Sequence, residues 1–122
     1  MKLIYRILYI SYDGLLEPLG QSQILSYMEN ISEEFKVSIV SFEKKNDWKK
    51  KENVEIVKNI ISKSQIDWIP LNYTSKPYIF STLLDIIKGI IKSLFLVRHN
   101  KIDIVHARGD IAGIIAYIIS FF

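Results

Sequence analysis

Cysteine is absent, which removes disulfides, thiolate nucleophiles and cysteine-based zinc sites together and suits a reducing compartment. Histidine is scarce, with His99 and His106 the two in the chain, so no metal cluster stands out. The three prolines and five glycines leave no linker or low-complexity tract. Long uncharged runs are missing as well: the greasiest stretch, residues 79–97, carries Asp85, Lys88 and Lys92. A membrane span needs about 20 mostly apolar residues and tolerates such charges poorly. Arg6 interrupts the first apolar stretch and no small-residue cleavage site follows it, so no secretory signal is read. The dinucleotide fingerprint G-x-G-x-x-G does not occur, and aromatics are not interleaved with basic residues as nucleic-acid binding would require.

What is present is enough for one domain, residues 1–122. A hydrophobic fraction of 49% with 24% charged residues is that of a globular chain, not a disordered one. The net charge is +3, and Lys44, Lys45, Lys49, Lys50 and Lys51 concentrate part of it in one loop. A lysine run beside a turn reads first as a solvated face, and second as a surface for phosphate or membrane.

The period of the apolar pattern switches regularly along the chain. Residues 3–11 read as a strand buried on both faces, and residues 12–21, with Asp13-Gly14 and Pro18-Leu19-Gly20, as a turn. Ser22 stands where a helix cap is expected, followed by Ile24, Leu25, Met28 and Ile31 at helical spacing. Residues 35–42 alternate as a second strand. Asn46 or Asp47 then caps a second helix with Val54, Val57, Ile60 and Ile61 on its apolar face. Residues 66–71 form a third strand, which Pro70 assigns to an edge or a strand end. Lys76-Pro77 opens a third helix with a narrow polar stripe of Ser81, Asp85, Lys88 and Lys92, expected to be buried on most sides. Residues 102–106 are a fourth, buried strand, and Asp110 caps a last helix from Ile111 onward.

Such alternation forces parallel strands with right-handed crossovers and helices on both faces. Ligands of an open doubly wound sheet bind beyond the carboxyl ends of the strands, where strand order reverses. For the order 3-2-1-4 that crevice lies between the first and fourth strands. The loop through Gly20, Gln21 and Ser22 meets His106 and Arg108 there. Free amides of a helix start suit an anion, although Gly20 alone reads as a turn glycine. Arg108 can fork onto a phosphate or carboxylate, and His106 can exchange a proton or hydrogen-bond a hydroxyl near neutral pH. A capping histidine and a surface arginine are the bland alternative. Asp13 and Glu17 are further candidate acid or base groups.

At these residues the sequence resembles the N-terminal domain of retaining glycosyltransferases of the GT-B fold, family 4 type. The resemblance is carried by Ile10-Ser11-Tyr12-Asp13-Gly14 with Pro18-Leu19-Gly20-Gln21-Ser22-Gln23. It continues through Ser41-Phe42-Glu43-Lys44, Trp68-Ile69-Pro70-Leu71 and Asp103-Ile104-Val105-His106-Ala107-Arg108. It covers essentially the whole chain. Ser26 and the Glu33-Glu34-Phe35 turn stand where relatives often carry proline and glycine, and Gly109-Asp110 replaces a serine-aromatic pair.

The resemblance implies a Rossmann-like sheet in the order 3-2-1-4, the acceptor-side half of a two-domain enzyme. That enzyme would transfer a sugar, with retention, from a nucleotide-sugar donor to a glycan or lipid-linked acceptor, without a metal cofactor. His106 is then expected as the catalytic residue near the transferred sugar, with Gly20, Gln21, Ser22 and Arg108 binding substrate or donor. Complete members are much longer, so the chain is expected to lack the C-terminal domain and to be nearly inactive alone. The expected setting is cytoplasmic, with peripheral contact at the inner membrane face and no nucleic acid partner. The alternatives are a non-catalytic α/β binding or interaction module and, more weakly, a flavodoxin-like regulator.

Overall fold

The computed structural model describes residues 4–74 and 78–122, so Pro77, the expected opening of the third helix, lies outside the described residues. Four parallel strands, β1 (Arg6–Ser11), β2 (Lys36–Glu43), β3 (Asp67–Asn72) and β4 (Ile104–Arg108), lie in the order β3-β2-β1-β4. Between them run α1 (Pro18–Gly20), a π turn (Gln21–Leu25), α2 (Ser26–Ile31), α3 (Lys45–Trp48) and α4 (Lys51–Ser64). The remaining helices are α5 (Tyr78–His99) and α6 (Asp110–Ile119).

Successive side chains of a strand point to opposite faces, and the sheet accordingly carries two cores. Leu8, Ile10, Val40 and Phe42 pack with Leu96 of α5 and with Ala112, Ile115 and Ile119 of α6. Tyr9, Val37 and Ile39 pack on the other face with Ile24, Leu25, Met28, Val57 and Ile61. Helices therefore cover both faces of an all-parallel sheet, an arrangement consistent with a Rossmann-like fold. The central strands are buried from Ile7 and Val37 onward, which accounts for their near-continuous apolar runs. β3 lies at one edge, where a strand proline such as Pro70 is tolerated.

Several local expectations are corrected. β4 begins at Ile104 and is the other edge; among the described residues no strand covers its outer side. It is exposed rather than buried, with Ile104 at 46% and Val105 at 36%. His106 and Arg108 are strand residues, not members of a loop beyond it. Ser22 is interior to the first helical run because Pro18 starts that run at the position where its missing amide costs nothing. No side chain caps α3 or α4, which follow Lys44 and Lys50, so Asn46 and Asp47 fall inside the first short helix. Asp110 is the first residue of α6, and the cap position belongs to Gly109 with φ 90.

The largest correction concerns α5. Of its expected polar stripe, Ser81 and Asp85 point inward at 3% and 0% exposure, joined by Ser93 at 0%. Gly89 lies on the same inward line, where an added Cβ would meet Ile115 Cδ1 at 2.5 Å. The helix is thus rotated to seat an ionisable group and a glycine against the sheet and α6.

Two glycines separate close approach from empty space. A Cβ on Gly20 would fall 1.9 Å from the Gly14 carbonyl oxygen, whereas one on Gly113 would meet nothing within 4 Å. Gly20→Ala is expected to cost about 2 kcal/mol or more, because backbone must move. Gly113→Ala should stabilise by about 0.5–1 kcal/mol through helix propensity. Chemical denaturation of the two variants checks both signs.

Candidate functional site

Parallel pairing puts Arg108 beside Ser11 and His106 beside Tyr9. Residues two apart share a face, so both side chains stand on the side of the sheet that carries α1 and α2. Arg108 emerges at the carboxyl rim, where its Nη2 donates to Gln23 Oε1 and its Nε lies 3.9 Å from Asp13 Oδ2. The Arg108 side chain is 32% exposed and that of Asp13 53%, so this ion pair is loose and hydrated. His106, lower on the same strand, stacks on Tyr9 with ring centroids 4.9 Å apart and planes 12° from parallel. Burial raises the pKa of the Tyr9 phenol, and Arg108 opposes that rise.

The loop that carries Asp13 is held from below by a buried carboxyl group. Glu43, 1% exposed at the end of β2, accepts the Leu15 and Leu16 amides at 2.9 and 3.1 Å. The Ser41 hydroxyl also donates to Glu43, and Trp68 Nε1–H donates to Ser41 Oγ at 2.8 Å. Gly14 has no room for a side chain, since its Cβ would lie 2.5 Å from Glu43 Oε1. Burial pushes the Glu43 carboxyl above its ordinary range, while the donors from Ser41, Leu15 and Leu16 pull it back. Ser11 Oγ fixes the start of the same loop by donating to the Asp13 carbonyl at 2.9 Å and accepting the Asp13 amide at 3.2 Å.

The rim on the β3 side is closed by a second polar cluster. Asp85, fully buried, accepts the Tyr12 hydroxyl at 2.7 Å and the Thr74 amide at 3.1 Å, and pairs with Lys88 at 3.0 Å. Lys88 also donates to the Asn72 carbonyl and to Thr74 Oγ1. Burial, reinforced by Asp85, raises the Tyr12 phenol. Lys44 pairs with Glu17 at 2.8 Å, which raises its pKa, and sits 5.5 Å from the Tyr73 ring centroid.

The expected site residues therefore separate into two groups. Arg108 and His106 stand at the β1–β4 junction. Gly20 is buried against Gly14. The Gln21 amide turns toward α4, donating to Asn53 Oδ1 at 2.5 Å and to the Leu16 carbonyl at 3.4 Å. Ser22 Oγ donates to the Leu19 carbonyl at 3.3 Å. Gln23 is the residue of this segment that reaches Arg108, and it does so from within a π turn in which the Gln21 carbonyl accepts from the Ser26 amide. Such turns place one extra residue in a helix and re-aim side chains. Gln23, Tyr9 and Glu43 were not among the expected site residues. No local pattern marks Glu43, because its partners lie 27 and 28 positions away.

Among the described residues no group of three or more His, Asp or Glu side chains could hold a metal ion. The arrangement offers a half-buried guanidinium with a loose ion pair at the rim, and an exposed imidazole beside it. No family model, curated protein or solved structure matches the chain.

The Glu43 clamp predicts a pH dependence with a definite sign. A carboxyl whose folded pKa is raised binds more protons folded than unfolded, so stability falls as pH rises from the ordinary glutamate range through the folded value. The thermal midpoint of the native chain, measured relative to Glu43→Gln, should drop over that window and level off above it. A constant difference between the two proteins across the window would show that burial does not perturb this carboxyl.

Proposed function

We propose that the chain is the acceptor-side domain of a retaining glycosyltransferase of the GT-B, family 4 type. In this reading the complete enzyme transfers a sugar from a nucleotide-sugar to a glycan or lipid-linked acceptor. The supporting observation is the meeting of Arg108, Gln23 and Asp13 at the carboxyl rim between β1 and β4. That junction is where the strand order β3-β2-β1-β4 reverses direction.

The chemistry follows from the groups present. Arg108 neutralises charge on a phosphate or carboxylate that displaces Asp13 and Gln23 from its guanidinium. His106 hydrogen-bonds a sugar hydroxyl beside it, held flat by Tyr9. Glu43 keeps the Asp13 loop at fixed height through Leu15 and Leu16. One domain presents one wall of a cleft, and a single wall neither excludes water nor orients two substrates. In this reading a second β/α domain holding the nucleotide completes the site.

The test uses the full reading frame that contains this sequence, a panel of nucleotide-sugars and acceptor glycans, and release of nucleoside diphosphate as the signal. Arg108→Ala and His106→Ala should each lower kcat/KM about ten-fold or more without moving the thermal midpoint. Unchanged transfer in both variants would remove these residues from the site. Absence of transfer with every donor would favour the non-catalytic binding module.

A further inference from the structure

α5 carries apolar side chains on both its inward and its outward face. Its inward side seats Ser81, Asp85, Gly89 and Ser93 beside the core residues Ile86, Ile90, Leu94, Leu96 and Val97, and the line turned to solvent is Phe80, Leu84, Ile87, Ile91 and Phe95. These five are 45–66% exposed, and they recur every three or four residues, over roughly 22 Å of helix at 1.5 Å per residue. α6 covers the same sheet face and turns Ile114 and Tyr117 outward at 44% and 66%. An exposed apolar strip of this extent marks a contact surface.

Charge identifies the occupant. Lys88, Lys92, Arg98 and His99 are the basic side chains of α5, and its one acid, Asp85, is fully buried against Tyr12 and Lys88. Across both helices the exposed acid among the described residues is Asp110, at the first position of α6. A second copy pressed against α5 would bring the same cations and no exposed carboxylate from its own α5. A bilayer rich in anionic phospholipid supplies both the apolar depth and the negative headgroups.

We propose that the outward faces of α5 and α6 form a docking surface for an anionic membrane, with the apolar line entering the headgroup boundary and Lys92 and Arg98 meeting lipid phosphates. The helix lies on the bilayer; no helix among the described residues is long and apolar enough to cross it. The lysine run at α3 and α4 belongs to the opposite layer, since Val57 and Ile61 of α4 pack in the other core. Both surfaces therefore cannot rest on one flat bilayer. The inference stands on exposure and charge and is independent of the transferase reading.

Co-sedimentation with phosphatidylcholine vesicles, with and without phosphatidylglycerol, tests it. The chain should partition about ten-fold more strongly onto the anionic vesicles, and high salt should weaken the preference. Ile87→Glu with Ile91→Glu should abolish binding while circular dichroism and the thermal midpoint are kept. Lys92→Glu with Arg98→Glu should remove the anionic preference, and reversal of Lys49, Lys50 and Lys51 to glutamate should leave it intact. Loss of binding in the lysine-run variant alone, or equal partition onto both vesicle types, would overturn the proposal. So would a dimer by light scattering that Ile87→Glu with Ile91→Glu dissolves, in a chain that ignores vesicles.

Discussion

The carboxyl rim of this protein hangs on one buried carboxylate. Glu43 faces the Leu15 and Leu16 amides and the Ser41 hydroxyl, with no cation among the partners that stabilise it. A buried carboxylate without a counter-charge is costly, and here its donors offset that cost. The neutral acid is also accommodated: a protonated Glu43 can donate to Ser41 Oγ while its oxygens still accept the two amides. The contact extends in both directions. Trp68 of β3 anchors Ser41, Glu43 leaves Gly14 no space for a Cβ, and Gly14 in turn leaves none for Gly20. Strand β3, strand β2, the loop after β1 and helix α1 are thereby locked in sequence. A change at any link shifts the height of Asp13 relative to Arg108.

This interdependence explains what the sequence could and could not disclose. The strands, their parallel direction and the edge-or-end position of Pro70 were legible, because strand–helix alternation and a missing amide show in the pattern. The order β3-β2-β1-β4 came instead with the resemblance. Helix starts were less so. Ser22, Asn46 and Asp110 carry capping oxygens, yet the helical runs begin at Pro18, Lys45 and Asp110, with no side-chain hydrogen bond at their caps. Backbone geometry and the proline decided those positions. Gln23 escaped notice because a π turn alters the helical count by one residue, and Glu43 because its partners are distant in the chain. The periodicity of α5 disclosed a polar line and an apolar line but not which faced the sheet. That choice was settled by Tyr12 and Thr74, which give Asp85 hydrogen bonds that no aliphatic side chain could accept.

The two sheet faces consequently do different work. On one, α1, α2 and α4 bury an apolar core and support Arg108 and His106 through Tyr9, Ile24 and Leu25. On the other, α5 combines core packing by Leu96 and its aliphatic neighbours with a polar lock at the rim and a glycine contact with α6, and also leaves an apolar line outward. Rotating α5 half a turn would withdraw Leu96, Ile86, Ile90, Leu94 and Val97 from the core. Rotation would break the Asp85 cluster that ties Tyr12, Thr74 and Lys88 together at the ends of β1 and β3.

The state of Arg108 fits a residue held ready for a ligand. Its contact with Asp13 is long and exposed, and such pairs are worth about 0–1 kcal/mol. A bidentate bond to a carboxylate is roughly twice as strong as a neutral hydrogen bond, and the single 3.9 Å contact to Asp13 does not have that geometry. Among the described residues no strand pairs with the outer side of β4, and the Arg108 side chain is 32% exposed there. The opposite end of the rim has no such freedom: Asp85 is buried with three partners, and Lys44 is engaged by Glu17. The rim is therefore tightly tied where it meets β3 and loosely tied where it meets β4.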